Sequence, residues 1–173
     1  MNNTFGPLFP PNQVALVSLS GSFSSSVSQP MSGVNTPTAI TYNTVETSNG
    51  ITFDNTVPSR ILIPHEGLYE FNFSLQIDQQ AGGTTSFDVW LRRNGVDIPR
   101  TASQGTISGQ QGETFLFVNF FLDLLQGDYI EVVYATAELT LKPTAFPAWT
   151  TPTNPYTRPA IPSIITTVKL LTV

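Results

Sequence analysis

His65 stands between Pro64 and Glu66 and is the chain's single histidine, so any triad or metal site would have to be built around it. A Ser-His-Asp relay needs a hydroxyl nucleophile, an imidazole base and a carboxylate to orient it, and none of the many serines sits in a Gly-x-Ser-x-Gly elbow. Zinc takes Cys, His and carboxylate ligands; without a Cys or a second His the chain lacks the makings of such a set. Asp54, Asp78, Asp88, Asp97, Asp123 and Asp128 are spread singly, not gathered in the dense acidic loop that suits calcium. No catalytic residue, cofactor or metal ligand is assigned. The expected class is non-enzymatic, with His65 an ordinary turn residue.

The remaining polar candidates also have plain readings. Arg92-Arg93 resembles a basic patch, but strand alternation sends the two side chains to opposite faces, where each is expected to pair with a carboxylate. Asn2-Asn3-Thr4 and Asn72-Phe73-Ser74 match the glycosylation tripeptide, a pattern that also arises by chance. No basic n-region followed by an apolar h-region opens the sequence, so conventional secretion is not expected and neither sequon is assigned. What remains is aromatic. Residues 142–162 carry Phe146, Trp149 and Tyr156 among six prolines, a semi-rigid loop that displays rings to a ligand or a neighbouring subunit.

Such side chains need a frame, and its clearest element is Gly67-Leu68-Tyr69-Glu70-Phe71-Asn72-Phe73-Ser74-Leu75-Gln76-Ile77-Asp78. A two-residue period puts Tyr69, Phe71, Phe73, Leu75 and Ile77 on one side and Glu70, Asn72, Ser74, Gln76 and Asp78 on the other, a strand with one dry face. Residues 14–19, 39–45, 50–53, 60–63, 86–93, 129–135 and 164–173 read as further strands set off by Asn, Gly and Pro. Asn94-Gly95 predicts a tight hairpin, since both residues tolerate positive φ. Residues 113–125 are almost continuously apolar and call for cover on both faces, one from the core and one from another subunit. About eight to ten short strands without a helical period predict an all-β sandwich or barrel.

Composition sets the outer limits. Forty per cent of residues are hydrophobic, 11% are charged, and 12 Phe exceed the needs of a small monomeric core. A net charge of -5 with seven Lys and Arg lacks the basic footprint of a nucleic-acid binder, and no apolar run approaches the roughly 20 residues of a membrane span. Neither nucleic acid nor membrane is an expected partner. Residues 1–13, with Pro7, Pro10 and Pro11 among Phe5, Leu8 and Phe9, favour an extended arm.

Several segments carry a family resemblance: residues 40–43 followed by Asn49-Gly50; Pro64-His65-Glu66-Gly67-Leu68-Tyr69-Glu70-Phe71; Val89-Trp90-Leu91-Arg92-Arg93-Asn94-Gly95; Leu124-Leu125-Gln126-Gly127-Asp128-Tyr129-Ile130; and residues 164–171. In this order they resemble the jelly-roll domains of the complement globular-head and tumour necrosis factor superfamily, from about residue 21 onward. The resemblance implies a jelly-roll β-sandwich of two antiparallel sheets over residues 14–173, with the 142–162 loop as an insertion, preceded by the arm at 1–13. It also implies a homotrimer around a three-fold axis. The expected trimer interface comprises Phe115, Phe117, Phe121, Tyr129 and Tyr134.

A cysteine-free, weakly charged β-rich trimer with an apolar arm fits a virion component, viral or phage, made in the host cytoplasm and displayed on the virion surface. The expected role is capsid decoration, cement or a head fibre, anchored to the major capsid protein or another virion protein through Phe5, Leu8 and Phe9. One alternative is a receptor- or carbohydrate-binding knob whose Phe146, Trp149 and Tyr156 stack on a glycan. Another is a secreted bacterial or spore-surface trimer.

Overall fold

A computed structural model of the chain describes residues 18–110, 112–152 and 154–172. Its strands are β1 (Ser20–Ser25), β2 (Thr38–Ala39), β3 (Thr44–Asn49), β4 (Thr52–Phe53), β5 (Ile61–Leu62), β6 (Gly67–Gln79), β7 (Thr84–Arg93), β8 (Val96–Asp97), β9 (Ser103–Ser108), β10 (Gly112–Leu124), β11 (Tyr129–Thr136), β12 (Leu141–Pro143) and β13 (Ile164–Thr172). No helix occurs among the described residues. The eight strands of six residues or more carry the fold, and the other five are two or three residues long.

All pairings are antiparallel and form two sheets. One runs β10-β6-β13-β1-β3, with β12 also beside β6; the other runs β4-β5-β11-β7-β8, with β2 beside β11 and β9 beside β7. The chain changes sheet at every step from β1 to β4, from β5 to β6 and β6 to β7, and at every step from β9 to β12, so that the two antiparallel sheets form a β-sandwich.

The alternating strand β6 supplies the centre of the core. Tyr69, Phe71, Phe73, Leu75 and Ile77 are all buried, in one cluster with Phe87, Val89 and Leu91 of β7 and with Ile130, Val132 and Tyr134 of β11. Phe23 meets Phe53 and Tyr42 edge-on, at centroid distances of 5.7 and 6.0 Å. Where β6 begins, Gly67 lets the last strand pass close: a Cβ there would lie 2.4 Å from the Thr172 carbonyl oxygen. Asn94 and Gly95 take φ of 52° and 81° between the paired residues Arg93 and Val96, so the hairpin closes through two left-handed residues.

Several sequence expectations need correction. The strand expected over residues 14–19 falls largely outside the described residues, and the serine stretch Ser20–Ser25, not expected as a strand, forms β1: pairing with β13 on one side and β3 on the other draws these small polar residues into the sheet. The segment read as one strand over 39–45 divides, β2 joining one sheet and β3 the other. β9 was not expected from Ser103, Gln104, Gly105 and Thr106; it forms against β7, where the Phe87 ring lies over Gly105 in the space a side chain would fill. Asp78 is buried rather than solvent-facing, because β12 pairs with that end of β6 and the Gln80 amide donates to its carboxylate. Within the 142–162 loop, β12 adds to β6, and bridges Phe146↔Ile161 and Trp149↔Arg158 fold the remainder on itself. The arm, with Phe5, Leu8 and Phe9, lies outside the described residues.

Candidate functional site

Among the described residues strand β10 occupies one end of its sheet and pairs only with β6, in unbroken register from Gly112↔Gln79 to Leu124↔Gly67. Alternation splits its side chains. Leu116, Val118, Phe120 and Leu122 turn inward and pack against the core, though only partly buried at this margin of the sandwich. Phe115, Phe117 and Phe121 turn outward and are 74%, 61% and 64% exposed. These rings form a column about 20 Å long, given roughly 3.4 Å per residue. Asn119 fills its gap and donates to Glu70 Oε1 at 3.0 Å.

The outer face continues across the sheet. The β6 residues opposite the column are Gln76, Ser74, Asn72 and Glu70, a polar row; Ile165 and Leu171 on β13 restore apolar character and are about two-fifths exposed. Burying a Phe side chain fully is worth about 1.5–3 kcal/mol, so the exposed parts of the three rings represent about 3–6 kcal/mol. Association costs roughly 4–15 kcal/mol in lost freedom, so a stable contact must cover more than the rings. Beyond the strand's open edge lies a groove of about 480 Å³ lined by Val96, Ile98, Arg100, Phe120 and Leu122 among others. An apolar outer face, an unpaired backbone edge and a groove alongside are what a protein partner requires.

The expected interface residues do not all meet. Phe115, Phe117 and Phe121 share one face, whereas Tyr129 belongs to the other sheet, with the Arg60 guanidinium 4.3 Å from its ring centroid. Tyr134 is a correction: it lies inside its own subunit, 1% exposed, its hydroxyl donating to the Gln29 carbonyl. Its inward parity on β11, shared with Ile130 and Val132, is the reason, and burial pushes its phenol well above the usual tyrosine range.

In the proline loop, Trp149 and Tyr156 come together with ring centroids 5.4 Å apart, and Arg158 lies 4.5 Å from the Trp149 ring centroid. Arg158 also donates to the Pro147 and Pro159 carbonyls. Trp149 is therefore already stacked by its own loop, while Phe146 sits half-buried at the loop's base. Arg158 escaped the sequence reading because nothing in residue spacing marks a stacking cation nine positions after a Trp.

No family model and no curated protein matches the chain. Among the described residues no three His, Asp or Glu side chains gather where they could share a metal ion. His65 is a turn residue, its Nδ1 2.8 Å from the Glu66 carbonyl and its own carbonyl accepting from the Tyr69 hydroxyl. Arg92 pairs with Asp97 at 2.9 Å and Arg93 with Asp128 at 3.7 Å, on opposite faces. A hydrogen bond from Trp90 Nε1, joined by Arg92, holds the Asp97 carboxyl below the usual range. These groups fix the hairpin and the turn before β11.

Proposed function

We propose that this chain is the non-enzymatic protomer of a homotrimer, and that the trimer is a structural component of a virion surface, acting as capsid decoration, cement or head fibre. The observation that carries the self-association is the exposed column Phe115, Phe117 and Phe121 on an edge strand. Cyclic closure around a three-fold axis would cover that face and edge in every subunit at once, leaving no open end for further growth. The resemblance to complement-head and tumour necrosis factor jelly rolls supports three as the number. The cysteine-free, weakly charged composition supports the virion setting. Stacking of Trp149 by Arg158 and Tyr156 weighs against the glycan-binding knob, since a sugar would have to displace a contact already made.

Light scattering tests the assembly. The full chain is expected at the mass of a trimer, and the triple variant Phe115→Ser, Phe117→Ser, Phe121→Ser at that of one subunit, with an unchanged β circular dichroism spectrum. A monomeric parent chain overturns the reading. An antibody to the chain tests its setting: label on intact virions supports the virion role, and label confined to a cell or spore surface overturns it.

A further inference from the structure

Residues 1–17 carry Phe5, Leu8, Phe9, Val14, Leu16 and Val17 and not one charged side chain. The place where they join the sandwich is well defined. The Leu19 carbonyl accepts from Leu170 N at 2.9 Å, and Ser20 pairs with Lys169. Along the same rows Leu170 pairs with Tyr69, Thr172 with Leu68, and Gly67 with Leu124. The start of β1, the end of β13, the start of β6 and the end of β10 thus share one end of the sheet. Three strand spacings of about 4.8 Å put β10 roughly 14 Å from β1.

At that end lies a groove of about 570 Å³, lined by Gly67, Leu68, Leu124, Leu125 and Thr172, with Glu66, Arg93 and Asp123 completing its wall. Leu125 projects beside it, 61% exposed. Its width owes something to Gly67, which adds no side chain of its own. Phe9 precedes Ser18 by nine residues, a span of roughly 30 Å when extended, so the groove is within its reach with slack. The far end of β10, twelve residues from Leu124 and about 40 Å away, is not.

We propose that this end groove is a docking site for the chain's own residues 5–9, seating Leu8 and Phe9 against Leu68, Leu124 and Leu125 of the same subunit. Covalent attachment favours this occupant over a second copy, because a short tether supplies an effective concentration of about millimolar. The groove is distinct from the outward column of β10, so its occupation leaves Phe115, Phe117 and Phe121 free for a neighbouring subunit. It gives the arm's apolar residues a place on their own subunit, in contrast to a capsid anchor.

The absence of cysteine allows a background-free test. Pro10→Cys combined with Leu125→Cys in the full chain is compared with Pro10→Cys combined with Ser108→Cys, whose second site lies toward the far end of the sandwich. A disulfide requires Cα atoms within about 7 Å, so mild oxidation should link the first pair within one subunit at least about tenfold more often than the second. Equal linkage in both pairs, or linkage mainly between subunits, overturns the proposal. Hydrogen exchange supplies an independent readout: residues 67–69 and 123–126 should be protected in the full chain and lose that protection when residues 1–13 are removed. Unchanged protection also overturns it.

Discussion

Strands β6 and β10 run side by side over thirteen paired residues, yet they treat water oppositely. Both turn apolar side chains inward. On the outer face β6 presents Glu70, Asn72, Ser74 and Gln76, whereas β10 presents Phe115, Phe117, Asn119 and Phe121. The first pattern is the usual one for an antiparallel sheet with one wet face, and it shows that the sandwich needs nothing apolar outside. The three rings of β10 are therefore surplus to the subunit's own fold. They also lie on an edge, where soluble proteins commonly place charge, proline or a bulge to discourage pairing. The difference is why the proposed contact surface is put on β10, while β6 serves the core.

The most forceful way to break this comparison is to truncate one ring on each strand. Phe73, buried on β6, should cost about 3–5 kcal/mol as Phe73→Ala in urea unfolding, from lost burial and the cavity left behind. Phe117→Ala on β10 should change the stability of the dilute subunit by no more than about 0.5 kcal/mol. Similar costs for the two would mean that β10's outer rings serve the subunit after all. A finer test exchanges residues that face each other in register, Phe117 and Ser74. The double variant Phe117→Ser, Ser74→Phe keeps the composition and should alter subunit stability by about 1 kcal/mol or less. It moves one ring inward by a single strand, and the mass expected of the proposed trimer should fall to that of one subunit. A surviving trimer would mean that the face's total apolar content matters and the position of the column does not.

Much of this contrast was legible in the sequence. Strict alternation from Tyr69 to Ile77 marks both faces of β6, and the near-continuous apolar run at 113–125 marks a strand with apolar side chains on both faces. Parity alone separates Phe115, Phe117 and Phe121 from Leu116, Val118, Phe120 and Leu122. The same parity argument places Tyr134 with the inward-facing Ile130 and Val132. β9 was invisible because its stability comes from a cross-strand neighbour: Gly105 has no propensity for a strand until the Phe87 ring covers it. β1 was hidden likewise, since its serines carry no apolar alternation and are held by pairing with β3 and β13. The grooves at the end and edge of β10 join residues distant in sequence, such as Val96 with Leu122 and Gly67 with Leu125, and no local pattern encodes such a meeting.

The smallest expected effect joins the two strands directly. Asn119 Nδ2 donates to Glu70 Oε1 at 3.0 Å, across the boundary between the aromatic column and the polar row. In a dilute subunit both groups can exchange this bond for water, so Asn119→Ala should cost about 0.5 kcal/mol or less. Covering the face changes that balance. A carboxylate removed from water depends on whatever donors the protein supplies, and losing one there costs about 1–3 kcal/mol. A double-mutant cycle with Asn119→Ala and Glu70→Gln, measured below and above the concentration at which subunits associate, should therefore show weak coupling in the first condition and clearly stronger coupling in the second. Equal coupling in both would mean that Glu70 stays wet in the assembly. The contact would then have to lie farther along the column, toward Phe115 and Phe117, and would involve β6 little.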